Sequence, residues 1–217
     1  MHLRADVKLP NWTLYATGPG SGIQILEGEY KGRLLIACDH IEAETKKYYS
    51  HIIFSDDHGG TWKLGGTSPQ DQVNECEVVE LSDHSLMLNM RNYDRNMSSR
   101  QLAYSDDGGE SWKDMHHHET LVEPICQAST LRFEVKDEVY VLFANPAHIK
   151  NRINMALRLS KDDGKSWPVV KQIFPGPSAY SDLTLKDEKN IGILYEGGRE
   201  SAYEGIIWET VSIKELL

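Results

Sequence analysis

The chain has 217 residues, 40% hydrophobic and 26% charged, a composition that excludes a disordered segment and supports one sizeable globular core. A formal net charge of −10 excludes a nucleic-acid surface and long-range attraction of an anion, so an anion site here must be built from locally clustered arginines. No apolar run approaches the ~20 residues of a membrane-spanning helix, so membrane association would not be encoded by a span.

Met1-His2-Leu3-Arg4 does not open a secretory signal, and residues 1 to 17 show no clear pattern. Asn11-Trp12-Thr13 and Asn96-Met97-Ser98 are glycosylation sequons, which matter only if the chain enters the secretory route. Gly18-Pro19-Gly20-Ser21-Gly22 reads as a turn before a short strand at Ile23 to Leu26, because no helix pattern follows to make it a nucleotide loop. Leu34 to Cys38 and Tyr49 to Phe54 then read as strands of a first unit.

That unit closes on Ser55-Asp56-Asp57-His58-Gly59-Gly60-Thr61-Trp62. Close copies recur at Ser105-Asp106-Asp107-Gly108-Gly109-Glu110-Ser111-Trp112 and at Ser160-Lys161-Asp162-Asp163-Gly164-Lys165-Ser166-Trp167, spaced by 50 and 55 residues. Each follows an apolar run, so each is expected to be a strand entering a tight turn whose Ser and Asp bond their own backbone, with the Trp packing back as an anchor.

A second unit comprises Glu75 to Leu81, Ser85 to Arg91 and Arg100 to Tyr104. A third comprises Gln127 to Phe133, Val139 to Asn145 and Ile153 to Leu159. A fourth, without the turn motif, comprises Tyr180 to Leu185, Ile191 to Glu196 and Glu204 to Val211. Helix periodicity is nearly absent, with at most a final turn at Ser212 to Leu217. Short antiparallel strands repeating every ~50 residues predict an all-β fold, a partial β-propeller with about four visible blades in a single domain over 1–217.

Antiparallel geometry sorts the polar residues. The start of a blade's first strand, the end of its second and the start of its third share one face, which collects Glu75, Tyr180, Arg91, Glu196 and Arg152. The turn motifs join third to fourth strands and belong on the opposite face. Taken singly, each of the five is an ordinary rim residue. Together, two arginines, two carboxylates and a phenol on one face of an acidic protein suit recognition of a carboxylate ligand.

Three other features read as structural. Cys38, Cys76 and Cys126 are sparse, lack metal-type spacing and are expected to be buried thiols. His116-His117-His118 reads as a solvated loop rather than a metal site. Arg95, Arg100 and Arg158 read as spare cations, Arg158 on the surface or packing its stem.

The repeated turn resembles the Asp box of sialidases. Together with Gly18 to Gln24, Asn74-Glu75-Cys76, Asn145-Pro146-Ala147-His148 and Gly176 to Ser181, it makes the whole chain similar to the lysosomal sialidase (neuraminidase) branch, a six-bladed family. The resemblance implies a retaining exo-α-sialidase that releases terminal sialic acid from glycoproteins, glycolipids and oligosaccharides without metal or other cofactor. It makes Tyr180 the nucleophile and Glu75 the base that takes its proton. A neutral phenol suits this task, because the anomeric carbon carries a carboxylate that would repel an anionic nucleophile.

By the same resemblance Arg91 and Arg152 hold the substrate carboxylate and Glu196 orients a further arginine. That arginine, in an Arg-Ile-Pro-type motif, and a following acid/base Asp do not appear before Gly18, and His2-Leu3-Arg4 is not that motif. The chain is therefore expected to lack about two N-terminal blades and to turn over little alone; the alternative is a non-catalytic sialic-acid-binding or scaffold propeller. The resemblance further implies sialylated glycans as ligands, a carboxypeptidase-type protective protein as a partner, and a lysosomal location, with membrane-associated or cytoplasmic locations as alternatives.

Overall fold

The computed structural model describes residues 7–217, so the segment His2-Leu3-Arg4 lies outside the described residues. The chain divides into two compact units, one running through Asn96 with Gln101–His117, the other comprising Met97–Arg100 with His118–Leu217.

The first sheet contains β1 (Trp12–Thr17), β2 (Ile23–Gln24), β3 (Leu34–Glu42), β4 (Tyr48–Ser55) and β5 (Lys63–Thr67), in the order β1-β3-β4-β5 with β2 also beside β3. The second is a four-stranded meander of β6 (Val73–Glu80), β7 (Leu86–Asn92), β8 (Ser99–Ser105) and β9 (Lys113–Val122). β1 falls where the sequence shows no pattern. As a sheet's outermost strand it buries only Trp12, so period-2 alternation has no second face to report.

The third and fourth expected units form one six-stranded sheet of β10 (Ser129–Val135), β11 (Glu138–Pro146), β12 (Ile153–Ser160), β13 (Val169–Asp187), β14 (Asn190–Gly197) and β15 (Gly205–Ser212). β13 does two jobs. Its first half pairs with β12 as far as Ile153 opposite Pro177, and its second half pairs with β14 from Ser178 opposite Gly197. Pro175 and Pro177 sit where the strand changes partner, a place where a missing amide donor is tolerated. The expected final turn is a 3-10 turn at Ile213–Glu215.

Alternation builds a core within each unit. In the first, Leu35 and Ala37 of β3 and Ile52 and Phe54 of β4 pack with Cys76 and Val78 of β6 and Leu86, Leu88 and Met90 of β7. In the second, Leu142, Met155, Leu157 and Leu159 pack with Leu183, Ile191, Ile193 and Tyr195. Cutting one of these Leu, Ile or Met side chains to Ala would cost ~2–5 kcal/mol. All three cysteines are free and buried, as expected.

The three turn motifs are near-identical hydrogen-bonded units. Ser55 Oγ donates to Asp57 Oδ1 at 2.8 Å and accepts the Gly59 amide at 2.8 Å; Asp57 in turn accepts the Thr61 amide and hydroxyl, each at 2.7 Å. Ser105, Asp107, Gly109 and Ser111 repeat this, as do Ser160, Asp162, Gly164 and Ser166. Gly59, Gly109 and Gly164 adopt φ of 86°, 88° and 78°, the left-handed backbone that favours glycine. The Thr61 and Ser55 bonds hold the Asp57 carboxyl down at about 2. Trp112 and Trp167 are buried anchors, and Trp112 Nε1 donates to Gly66 O at 3.0 Å; Trp62 is half-buried.

Candidate functional site

In the first unit the pairing of β6 with β7 slips between Val73 and Cys76. Val73 faces Asn92 and Cys76 faces Met90, leaving Asn74 and Glu75 against Arg91 alone. Two residues opposite one is a β-bulge, a device that re-aims a side chain. Arg91 Nη1 donates to Glu75 Oε2 at 2.5 Å, with side chains only 11% and 15% exposed. The Arg91 guanidinium also lies 5.0 Å from the Tyr93 ring centre, and Asn74 Nδ2 donates to Tyr93 Oη at 3.4 Å. Ser50 Oγ donates to the Asn74 carbonyl at 2.5 Å and pins the bulge.

Asp39 near the end of β3 is buried, and its carboxyl is pushed up to about 7 by burial and by the Glu75 charge, against the pull of Arg91. Beside it in sequence, His40 stacks on Trp12 at 3.7 Å and shares an Nδ1···Nδ1 hydrogen bond of 3.0 Å with His51. Burial lowers these imidazoles to about 4 and about 3.

The second unit repeats the bulge. Ser178 faces Gly197 and Ser181 faces Tyr195, so Ala179 and Tyr180 stand against Glu196. The Tyr180 amide donates to Glu196 Oε2 at 3.1 Å. Arg152, immediately before β12, places its guanidinium 5.6 Å from the Tyr180 ring centre, donates through Nη1 to Tyr203 Oη at 2.7 Å and through Nη2 to the Ile125 carbonyl at 3.0 Å. Buried Gln127 fixes the strand next to Tyr180. Its Oε1 accepts the Ser181 amide at 2.9 Å and its Nε2 donates to the Ser181 carbonyl at 2.9 Å.

The structure therefore brings together Glu75 with Arg91 in one unit and Arg152, Tyr180 and Glu196 in the other. Register also places the turn motifs away from them. Leu86 at the start of β7 pairs with Ser105, whereas Arg91 lies at the other end of β7; Val141 pairs with Ser160, whereas Pro146 pairs with Met155, near Arg152.

Several residues behave differently from their sequence reading. Arg100 is not a spare cation: with a side chain 0% exposed it donates to Glu123 Oε2 at 2.7 Å, a buried pair. Arg158 is buried too, donating to Asn145 Oδ1 at 3.2 Å, while Arg95 is exposed. The three histidines are not in a loop. They lie in β9, where His116 stacks on Tyr104, His117 lies 3.5 Å from Asp94 and His118 meets the Trp167 edge. Among the described residues no group of three or more His, Cys, Asp or Glu side chains is arranged to hold a metal. Asp39, Gln127 and Tyr203 were not singled out from sequence, since each acts through partners remote in the chain.

The arrangement is suited to an anionic ligand: a half-buried arginine fixed over a phenol, whose planar fork matches a carboxylate. Comparison with known proteins gives the family. A family model described as a BNR repeat-like domain matches residues 1–195. The chain is 34% identical over 201 residues to a sialidase of Micromonospora viridifaciens, covering 89% of this chain and 30% of that protein. It is 30% identical over 225 residues to a sialidase of Bacteroides fragilis, covering 100% of this chain and 39% of that protein.

Among solved structures, the Hadza microbial sialidase Hz136 superposes with a TM-score of 0.88 at 31% identity, covering 100% of this chain and 41% of that one. The chain thus spans well under half the length of each of these relatives. The blade-type sheets, the three Asp boxes and these matches agree: the chain belongs to the sialidase family and has its fold, a partial β-propeller built of BNR repeats.

Proposed function

We propose that this chain carries the carboxylate-recognising and nucleophile-bearing part of an exo-α-sialidase site. The observation that carries the reading is Arg152 held 5.6 Å over the Tyr180 ring while Glu196 accepts the Tyr180 amide. Tyr180 Oη attacks the anomeric carbon of an α-linked sialic acid and the glycosidic C–O bond breaks. The phenolic proton passes to a base, for which the family resemblance favours Glu75. The leaving oxygen takes its proton from an acid that none of the five residues supplies. Water then attacks the glycosyl-tyrosine, Tyr180 recovers its proton and the anomeric configuration is retained. Arg152 holds the substrate carboxylate, joined in this reading by Arg91, and Glu196 braces the strand that presents the phenol. Sialylated glycans are the ligand class.

Trapping with 2,3-difluorosialic acid tests the assignment. Peptide mass mapping should find the adduct on Tyr180 and none in Tyr180→Phe. An adduct on another residue, or one that survives Tyr180→Phe, would remove Tyr180 from the role.

A further inference from the structure

Arg152 is gripped from two sides by loops that are themselves braced from within. The first loop is the Glu123–Cys126 stretch of the link between β9 and β10, and side chains take backbone carbonyls along and beside it. Asn145 Nδ2 donates to the Val122 carbonyl at 2.8 Å just before it, Arg152 Nη2 to that of Ile125 at 3.0 Å, and Arg100 Nη1 to that of Cys126 at 2.8 Å. Arg100 simultaneously pairs with Glu123, and the Glu123 amide donates to the Ser98 carbonyl at 3.0 Å.

Ile125 stands at φ 56°, left-handed backbone that a β-branched residue adopts only when its surroundings impose it. That turn accompanies the delivery of its carbonyl to Arg152. The second loop, Gly198 to Glu204, closes on the Glu204 carboxylate, which accepts the amides of Arg199, Glu200 and Ser201 at 2.9, 2.8 and 2.8 Å. It presents Tyr203 Oη to Arg152 Nη1.

We propose that the Glu123–Cys126 loop is a positioning device, in which Arg100 and the left-handed Ile125 set the Arg152 guanidinium in its carboxylate-receiving orientation before a ligand arrives. This rests on the reading of Arg152 as the carboxylate ligand. Neither Arg100 nor Ile125 is assigned contact with substrate. Their role is to remove the ordering cost that a loose arginine side chain would otherwise impose on binding. The left-handed backbone at Ile125 and the burial of a complete ion pair within the loop both follow from that role.

The variants are chosen by backbone and by donor geometry. Proline fixes φ near −65° and cannot adopt the Ile125 conformation, so Ile125→Pro swings the carbonyl away. Asparagine tolerates left-handed backbone, so Ile125→Asn should keep it. Arg100→Lys retains the charge facing Glu123 but loses the planar fork that reaches Glu123 and Cys126 together. With arginine side chains labelled with ¹⁵N, relaxation of the Arg152 Nε–H reports its order without ligand, and calorimetric titration with free sialic acid reports affinity.

The expected result is a fall in Arg152 order to below ~0.6 in Ile125→Pro and Arg100→Lys. Affinity should fall about tenfold with it, while Ile125→Asn keeps both. Should Ile125→Pro or Arg100→Lys fail to fold, the other decides. Unchanged Arg152 order in whichever of them folds would overturn the proposal. If the order follows the loop as expected but wild type binds no sialic acid, the positioning device stands and the sialidase reading of Arg152 fails.

Discussion

The bulge in β6 and the bulge in β13 are the same backbone device loaded with different chemistry. In each, the first strand carries two residues against one on the second strand: Asn74 and Glu75 against Arg91, Ala179 and Tyr180 against Glu196. The first bulge joins a carboxylate to a cation side chain to side chain, whereas in the second a carboxylate takes the backbone amide that the bulge frees, leaving the phenol hydroxyl outside that bond. The repeat thus supplies a position, a strand-end side chain turned out of the ladder, and the residue type placed there decides what the position does.

Four measurements bear on the difference between the two bulges. The largest effect is expected on activity towards 2,3-difluorosialic acid, whose fluoride departs without help from an acid: Tyr180→Phe and Glu75→Gln should each slow covalent labelling of the chain by ~10²–10⁴. Equal activity in either variant would show that its bulge holds a structural residue. Next comes the buried ion pair in the loop that meets Arg152. In urea unfolding, Arg100→Met should cost ~3–5 kcal/mol because it strands buried Glu123, and adding Glu123→Leu should restore most of it.

The acid response distinguishes the first bulge. Asp39, ordinarily at 3.8, rises to about 7, so the folded chain holds a proton that the unfolded chain has lost; this stabilisation is present at low pH and disappears as pH rises through 7. His40 and His51, ordinarily at 6.5, fall to about 4 and about 3, so their contribution is present above 6.5 and is lost as pH falls through those values. Two histidines outweigh one aspartate. Between pH 4 and 6.5 the three together make stability rise with pH, and Asp39→Asn should make that rise steeper. A slope unchanged by Asp39→Asn would remove the neutral carboxyl from beside Glu75.

The smallest effects concern the braces. Gln127→Leu strips both backbone bonds from Ser181 and should cost ~1–3 kcal/mol, while Ser50→Ala at the first bulge should cost about 1 kcal/mol in the same unfolding assay.

What the sequence disclosed follows the range of the interactions involved. The Asp boxes were legible because Ser55, Asp57, Gly59 and Thr61 satisfy one another within a few residues. Glu75, Arg91, Arg152, Tyr180 and Glu196 were legible because they punctuate apolar alternation at strand ends. The bulges were not, since one extra residue at a strand end leaves no mark on a period of two. Nor was the Arg100–Glu123 pair, 23 positions apart, or the Gln127 grip on Ser181, 54 apart. The histidines of β9 were misread because a mixed, half-exposed strand has the composition of a loop.

In the proposed site Arg152, set over Tyr180, receives the carboxylate of sialic acid. Calorimetric titration of the chain with sialic acid and with its methyl ester tests it most directly, repeated on Arg152→Ala. The free acid should bind more tightly than the ester by about 2 kcal/mol or more, and Arg152→Ala should remove most of the difference. Equal binding of acid and ester to the wild-type chain, or a preference for the acid undiminished in Arg152→Ala, would contradict it.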